Sequence, residues 1–396
     1  MTPRARLAAL CALLALLAGC DGGGTGAITP APTPTPTPSP TPAPTPTPTP
    51  TPAPPTTTVR SAPVASFDSP WAMTFLPDGL LLVTERGGAL RIVTQAGEKS
   101  PPIAGVPVVA AAGQGGLHDV VLHPQFASNR LVYLSFAEAG SSGKGLAVAR
   151  GTLSADASRI DDLAIVWRQA PKVAGDGHFG GRIAFAADGR MFVTAGERQQ
   201  GTPAQDRSQT LGVVVRLTDT GGVPTDNPFV GQAGFRPEIW SFGHRNPYGL
   251  AFDSSGRLWE HEHGPEGGDE LNVIERGGNY GWPRASNGSD YGGGDIPDHR
   301  PGDGYVGPAA FWTPVIAPAG MIIYSGTLFS GWQGQALIGG LVQQGLVRVA
   351  LTGATASEVQ RIPLGRRIRE VEQGPDGAIW VLEDGAGGRL LKLTPG

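Results

Sequence analysis

The chain has 396 residues but only 2 cysteines, Cys11 and Cys20. Cys11 lies in an N-terminal apolar run of the leader type, so the mature chain keeps one cysteine and no internal disulfide can staple it. Charged residues are sparse at 16%, with a formal net charge of -4, a balance that offers little to a nucleic acid or an anionic membrane surface. The apolar run at residues 7–17 is too short for a permanent membrane span, which takes ~20 residues. No long helical pattern stands out. Aromatics make up 7%, whereas glycine reaches 60 residues, so the chain is rich in turns and modest in surface charge.

The N-terminus reads as an address. Arg4 and Arg6 precede the apolar run, and Leu17-Ala18-Gly19-Cys20 ends in a small-residue cleavage site with a cysteine directly after it. That order predicts a bacterial lipoprotein signal at residues 1–19 with lipidation at Cys20; an ordinary secretory signal with an incidental cysteine is the alternative. Residues 29–58 alternate Thr and Pro, with Ala and Ser substitutions. Proline fixes φ and removes donors, so residues 20–59 are expected to be a linker, extended over roughly 90 Å in its Pro-rich part at ~3.1 Å per residue. Residues 60–396 form one block with no second break in composition.

Within that block one pattern recurs: an apolar strand, a turn of the PDG type, then a second apolar strand. It occupies residues 73–85, 120–138, 183–197, 250–264, 321–340 and 371–384. The Asp-Gly and Ser-Gly pairs supply the positive φ of a tight hairpin, and the Val, Leu, Ile and Phe around them suit half-buried strands. Six copies predict an all-β, six-bladed β-propeller. The strand-like ends at residues 69–71 and 390–393 predict a last blade closed by pairing the chain ends, which removes an exposed edge. Uneven spacing predicts long insertions in the third to fifth blades.

Residues 239–283 concentrate His, Arg, carboxylates and glycine in turns between short apolar runs. Polar groups at that density are expected to face water or a ligand from a rigid scaffold. The segment also carries GHRNP at 243–247, EHGP at 262–265, GGDELN at 267–272 and GGNYGWP at 277–283. These motifs resemble the soluble aldose sugar dehydrogenases, six-bladed propellers that carry pyrroloquinoline quinone (PQQ) and calcium.

The residues can be read on their own and then through the resemblance. His178, in a Gly-rich turn before the third repeat, is either a surface hydrogen-bonding residue or a proton acceptor whose pKa suits hydroxyl oxidation. HFGGR at 178–182 is similar to the motif that holds the family's general base. Arg245 is either a clamp on loop carbonyls or a contact for an anionic ligand, with Asn246 beside it. The resemblance implies that both contact PQQ. Arg367 and Arg369 share one face of a strand and resemble a second cationic pair for its carboxylates. Gln114 matches a sugar-side glutamine and Tyr291 an aromatic that covers the cofactor. Gly340, Leu341 and Val342 are expected to line the cofactor site through their backbone, although relatives commonly carry Lys where Val342 stands.

His261 and His263 share a strand face, as zinc ligands would, but no third nitrogen or sulfur ligand follows at a usual spacing. Calcium prefers oxygen. The resemblance implies that the carbonyls of Gly264 and Pro265 hold one calcium and that Glu270 and a backbone oxygen of Tyr280 hold a second. Asp269 and Glu266 read as solvated loop acids.

The leader predicts a periplasm-facing, lipid-anchored protein, and the resemblance implies an enzyme that oxidises the C1 hydroxyl of aldoses to the lactone. His178 would be the base and Arg245 the stabiliser of developing negative charge; the electron acceptor is open. A calcium-dependent sugar lactonase and a non-catalytic glycan- or protein-binding propeller are the rival readings of the same scaffold. A Pro-Thr stalk has no apolar surface with which to hold a membrane, so Cys20→Ala is expected to move the protein from the membrane pellet to the soluble fraction of lysed cells. A variant that still pellets would point to another attachment.

Overall fold

The computed structural model describes residues 58–396; the expected leader, Cys20 and all but the end of the linker lie outside the described residues. Among the described residues, beside a two-stranded sheet of Glu266–Gly267 and Gly288–Ser289, six antiparallel sheets follow one another along the chain, five of them with their strands in sequence order. Their innermost strands are Pro70–Phe75, Leu117–Leu122, Gly180–Phe185, Pro247–Phe252, Pro318–Ile323 and Ile368–Gln373. Every predicted repeat is the hairpin that joins an innermost strand to the second strand of its sheet. The turn glycines Gly79, Gly189, Gly256 and Gly377 have φ of +85°, +80°, +82° and +79°, the left-handed region that a tight turn requires. The second strands, such as Leu81–Glu85 and Ile379–Glu383, are buried along their whole length. Both of their faces are covered by adjacent blades, so even their polar residues, such as Thr84 and Glu260, are buried. Outer strands such as Thr355–Pro363 are mostly exposed or half-buried.

The chain ends close the ring. Val59–Asp68 pairs with Ala386–Pro395, making it the outermost strand of the last blade. The closing strand therefore precedes the expected Ser69–Trp71 start, and Pro70–Phe75 instead opens the first blade. The first blade has three strands and the others four. Long connections occur in the third and fourth blades, between Ala195 and Val213, Leu217 and Ile239, and Val273 and Ala310. The fifth blade has none, only a turn between Ile323 and Ala336. Among the described residues the helices are two short pieces, Phe126–Asn129 and Thr202–Gln205.

A register shift recurs at the start of all six innermost strands. Such bulges re-aim side chains. The second residues Trp71, Tyr248 and Arg369 line a cavity at one end of the central channel, called upper here. The third residues Asp119, Arg182 and Glu370 line a separate cavity of about 200 Å³. The Arg182 guanidinium joins the two layers: it lies 4.2 Å from the Trp71 ring centroid, pairs with Glu370 and stands 3.5 Å from Asp119.

Phe67 of the closing strand is buried with Met73, Leu81 and Val83 of the first blade and Trp380, Leu382 and Leu390 of the last. Phe67→Ala is expected to destabilise the domain by about 3–5 kcal/mol, because it empties the seam where the ring closes. Denaturant titration of the purified domain checks this; an unchanged midpoint would mean that the seam is not limiting.

Candidate active site

Two cavities, of about 410 and 430 Å³, share Gln114, His263 and Ala317 and so form one depression over the channel. Arg86, Trp71, Tyr248, Leu341, Arg367, Arg369 and Asp384 line the first. His178, Arg245, Gly264, Pro265, Tyr291 and Val342 line the second. Residues on or beside all six blades meet here.

His178 occupies the left-handed region, with φ of +48°. A non-glycine residue stays there only where its surroundings fix it. Its N–H donates to Gln114 Oε1 at 2.7 Å, and its carbonyl accepts the Arg198 N–H at 3.1 Å. Gly196 makes room, since a Cβ there would meet the His178 carbonyl oxygen at 2.3 Å. Arg198 secures the loop further by donating to the carbonyls of Gly175 and Gly177. The ring Nδ1 lies 2.5 Å from Glu197 Oε1, while the other Glu197 oxygen accepts the Gly201 N–H at 2.6 Å. A carboxylate on Nδ1 assigns the proton to that nitrogen and leaves Nε2 as an acceptor for the cavity. Burial pushes the His178 pKa below 6.5 although the Glu197 bond opposes the shift, so the imidazole is neutral at neutral pH. Glu197 was not singled out in the sequence, where its only signal was its place at the end of the third repeat.

Arg245 is the clamp on loop carbonyls that one of the two sequence readings described. Nη1 donates to the carbonyls of Gly264 at 2.7 Å and His263 at 3.2 Å, so it clamps the 263–265 turn, and its guanidinium stacks 5.0 Å from the Trp282 centroid. Nε is buried without a partner, and Tyr291, 72% exposed, stands over the group at 5.8 Å. The Gly264 carbonyl expected to bind calcium already accepts this bond, which leaves one lone pair for a cation.

The expectation that the 239–283 segment faces outward fails for most of its polar groups. His244, Asn246, Glu260, His261, Glu262, Asp269, Glu270 and Asn272 are all buried. Asp269 is no solvated acid: it accepts the N–H groups of Gly264, Ile316 and Ala317 at 3.0, 2.8 and 2.7 Å, and burial raises its pKa to about 6. Glu266 is exposed, as expected.

Glu260, Glu262 and Glu270 share one interior. Glu262 Oε1 lies 3.0 Å from His244 Nδ1, and Glu270 lies 3.5 Å from His299. Burial, then the Glu262 charge, raises the Glu260 pKa well above 4.5. A cavity of about 10 Å³, the size of one ion or water, is lined by Glu262, Gly264, Glu270 and Tyr280 among others. Crowded carboxylates beside an ion-sized space fit calcium, whose charge would relieve their repulsion. Zinc finds no such place at His261 and His263: both His261 nitrogens lack partners against Gly249, and His263 Nε2 donates to the Pro318 carbonyl at 2.6 Å.

Arg367 and Arg369 point to one face, as expected, and both donate to Asp384, at 2.8 and 2.9 Å. Burial would raise the Asp384 pKa, but Arg369 and Arg367 hold it below 3.8. Asn246 and Gly340 are not among the residues lining the depression. Asn246 is fully buried, with Oδ1 accepting the Gly180 N–H and Nδ2 unpartnered. The N–H groups of Leu341 and Val342 donate to Ala317 and Ile316, so these residues line the site through their side chains rather than free backbone donors. Val342 is 53% exposed and brings no charge. The unpartnered Arg245 Nε, together with the three lining arginines Arg86, Arg367 and Arg369 near the upper mouth, fits an anionic cofactor such as PQQ.

The sequence profile of the Glucose / Sorbosone dehydrogenase family matches residues 67–392. The chain belongs to this family. Its relatives include the aldose sugar dehydrogenase YliI of Escherichia coli, 45% identical over 336 residues that cover 83% of this chain and 90% of that protein. The crystal structure of the soluble aldose sugar dehydrogenase of Escherichia coli in the apo-form superimposes with a TM-score of 0.83 at 44% identity, over 86% of this chain and 100% of that one. The PQQ-bound aldose sugar dehydrogenase of Streptomyces coelicolor has a TM-score of 0.72 at 31% identity, covering 86% and 99%. Family membership makes the six-bladed propeller that of a sugar dehydrogenase, an oxidoreductase.

Only a neutral imidazole accepts a proton, so if His178 is the proton acceptor in turnover, activity is expected to persist below pH 6.5 and to fall as pH drops through its lowered pKa. Glu197→Gln removes the contact that raises that pKa. In that role the acid limb of kcat/KM should move to lower pH while kcat falls, since an imidazolium formed in turnover would lose its counter-charge. A pH profile superimposable on wild type would detach Glu197 from His178.

Proposed function

We propose that the chain is a PQQ- and calcium-dependent dehydrogenase that oxidises the C1 hydroxyl of aldoses to the lactone, anchored through Cys20 and facing the periplasm. The observation that carries this reading is the meeting of the buried His178–Glu197 pair with Arg245, Arg367 and Arg369 around one depression. When bound, PQQ supplies the acceptor for two electrons and the C1 hydrogen, and calcium supplies a Lewis acid beside it.

The protein positions and polarises. His178 Nε2 takes the hydroxyl proton, and Glu197 stabilises the imidazolium that results. Arg245, fixed against the 263–265 turn, places a positive charge where negative charge develops, with no reorganisation at the moment of reaction. Arg367 and Arg369, held in register by Asp384, offer their remaining N–H groups to carboxylates. Gln114 Oε1 is occupied by the His178 N–H, so its amide nitrogen is the group left for a sugar hydroxyl.

Purified apoprotein supplied with PQQ and calcium is expected to reduce a redox dye in the presence of glucose. No reduction by the reconstituted protein with any aldose would overturn the reading. In the same assay His178→Ala should keep PQQ affinity while kcat falls by about 10²–10⁴, the span for losing a positioned base; near-normal turnover would remove His178 from that role.

A further inference from the structure

The guanidinium groups of the upper cavity differ in their protein partners. Arg367 and Arg369 share the carboxylate of Asp384. Arg86, directly after the strand Leu81–Glu85 of the first blade, lines the same cavity, and its partner is neutral: Nη1 donates to the Gly113 carbonyl at 2.8 Å. Among the described residues it makes no ion pair. Three guanidinium groups therefore face one carboxylate. Val342, across the depression, contributes no charge.

An exposed arginine is ordinary; a fixed one is less so. The Arg86 carbonyl accepts the Leu117 N–H at 3.0 Å, and its stem lies so close to Gly116 that a Cβ there would meet Arg86 O at 2.1 Å and Cγ at 2.5 Å. The backbone, stem and one Nη are thus tied to the 113–117 loop, while Nε and the other Nη have no protein partner. A fork held in place loses little entropy on gripping a carboxylate. The first and last blades are neighbours in the ring, so Arg86, Arg367 and Arg369 make one cationic wall, with Arg245 on the fourth blade across the channel.

We propose that Arg86 is a third cationic contact for the carboxylates of the bound cofactor, which orients its acidic end toward the seam between the last and first blades. This rests on the PQQ reading above. The test is a titration of apoprotein with PQQ in calcium buffer, followed by quenching of tryptophan fluorescence at several salt concentrations. Arg86→Gln is expected to raise Kd by about tenfold or more, the usual effect of losing one hydrogen-bonded charge. It should also flatten the dependence of Kd on salt, which a merely loosened loop would leave unchanged. Arg86→Lys keeps the charge but loses the fork, so it raises Kd by a smaller factor and serves alone if the glutamine variant does not fold. An unchanged Kd in every folded variant, or weaker binding with the wild-type salt slope in Arg86→Gln, overturns the contact and leaves the cofactor reading intact. Wild-type apoprotein that takes up no PQQ overturns the cofactor reading instead.

Discussion

Ring closure by Val59–Asp68 on Ala386–Pro395 is the constraint on which the site depends. Gln114, His178, Arg245, Val342 and Arg369 lie on or beside different blades, and their separations across the channel are fixed only when the angular sequence of blades is fixed. An open ring would leave strand edges unpaired and let the blades splay. The apolar seam of Phe67 with residues of the first and last blades adds packing to the hydrogen bonds of the closing strand. The stability of this seam and the geometry of the chemistry are therefore one problem.

The second theme is the burial of polar groups as scaffolding. Asp269 takes three backbone N–H groups and so ties the 263–269 turn to the fifth blade; Arg198 and Gln114 together hold His178 in a backbone conformation that it would not adopt alone. Such groups are satisfied by one another, not by water, and they stiffen the loops that carry function. The glutamates Glu260, Glu262 and Glu270 are the exception. Glu262 and Glu270 have His244 and His299 as partners, but Glu260 Oε1 is buried without one, and burial with the Glu262 charge raises the Glu260 pKa; a cation here would relieve that crowding.

Charge in the depression is divided between two poles. The acidic interior near Glu262 and Glu270 lies on the fourth blade, and the arginine wall lies where the last blade meets the first. A ligand with carboxylates at one end and metal-binding atoms at the other would find one orientation favoured over its reverse. The His178–Glu197 pair opens on the space between these poles.

The sequence by itself determined the number of blades, because each hairpin writes its own apolar strands and turn glycines, and it located His178, Arg245, Arg367 and Arg369 through motifs that are local. It misjudged what burial decides. Asp269 looked like a loop acid since nothing nearby in sequence announces the N–H groups of Ile316 and Ala317; Glu197 and Arg86 carried no local signal because their partners, His178 and Gly113, lie on other turns. The closing strand was also displaced, as Val59–Asp68 has little apolar pattern of its own and becomes a strand only when Ala386–Pro395 is there to pair with it. Which polar groups face a ligand and which hold one another is settled by contacts between blades, and those contacts exist only after the ring has closed.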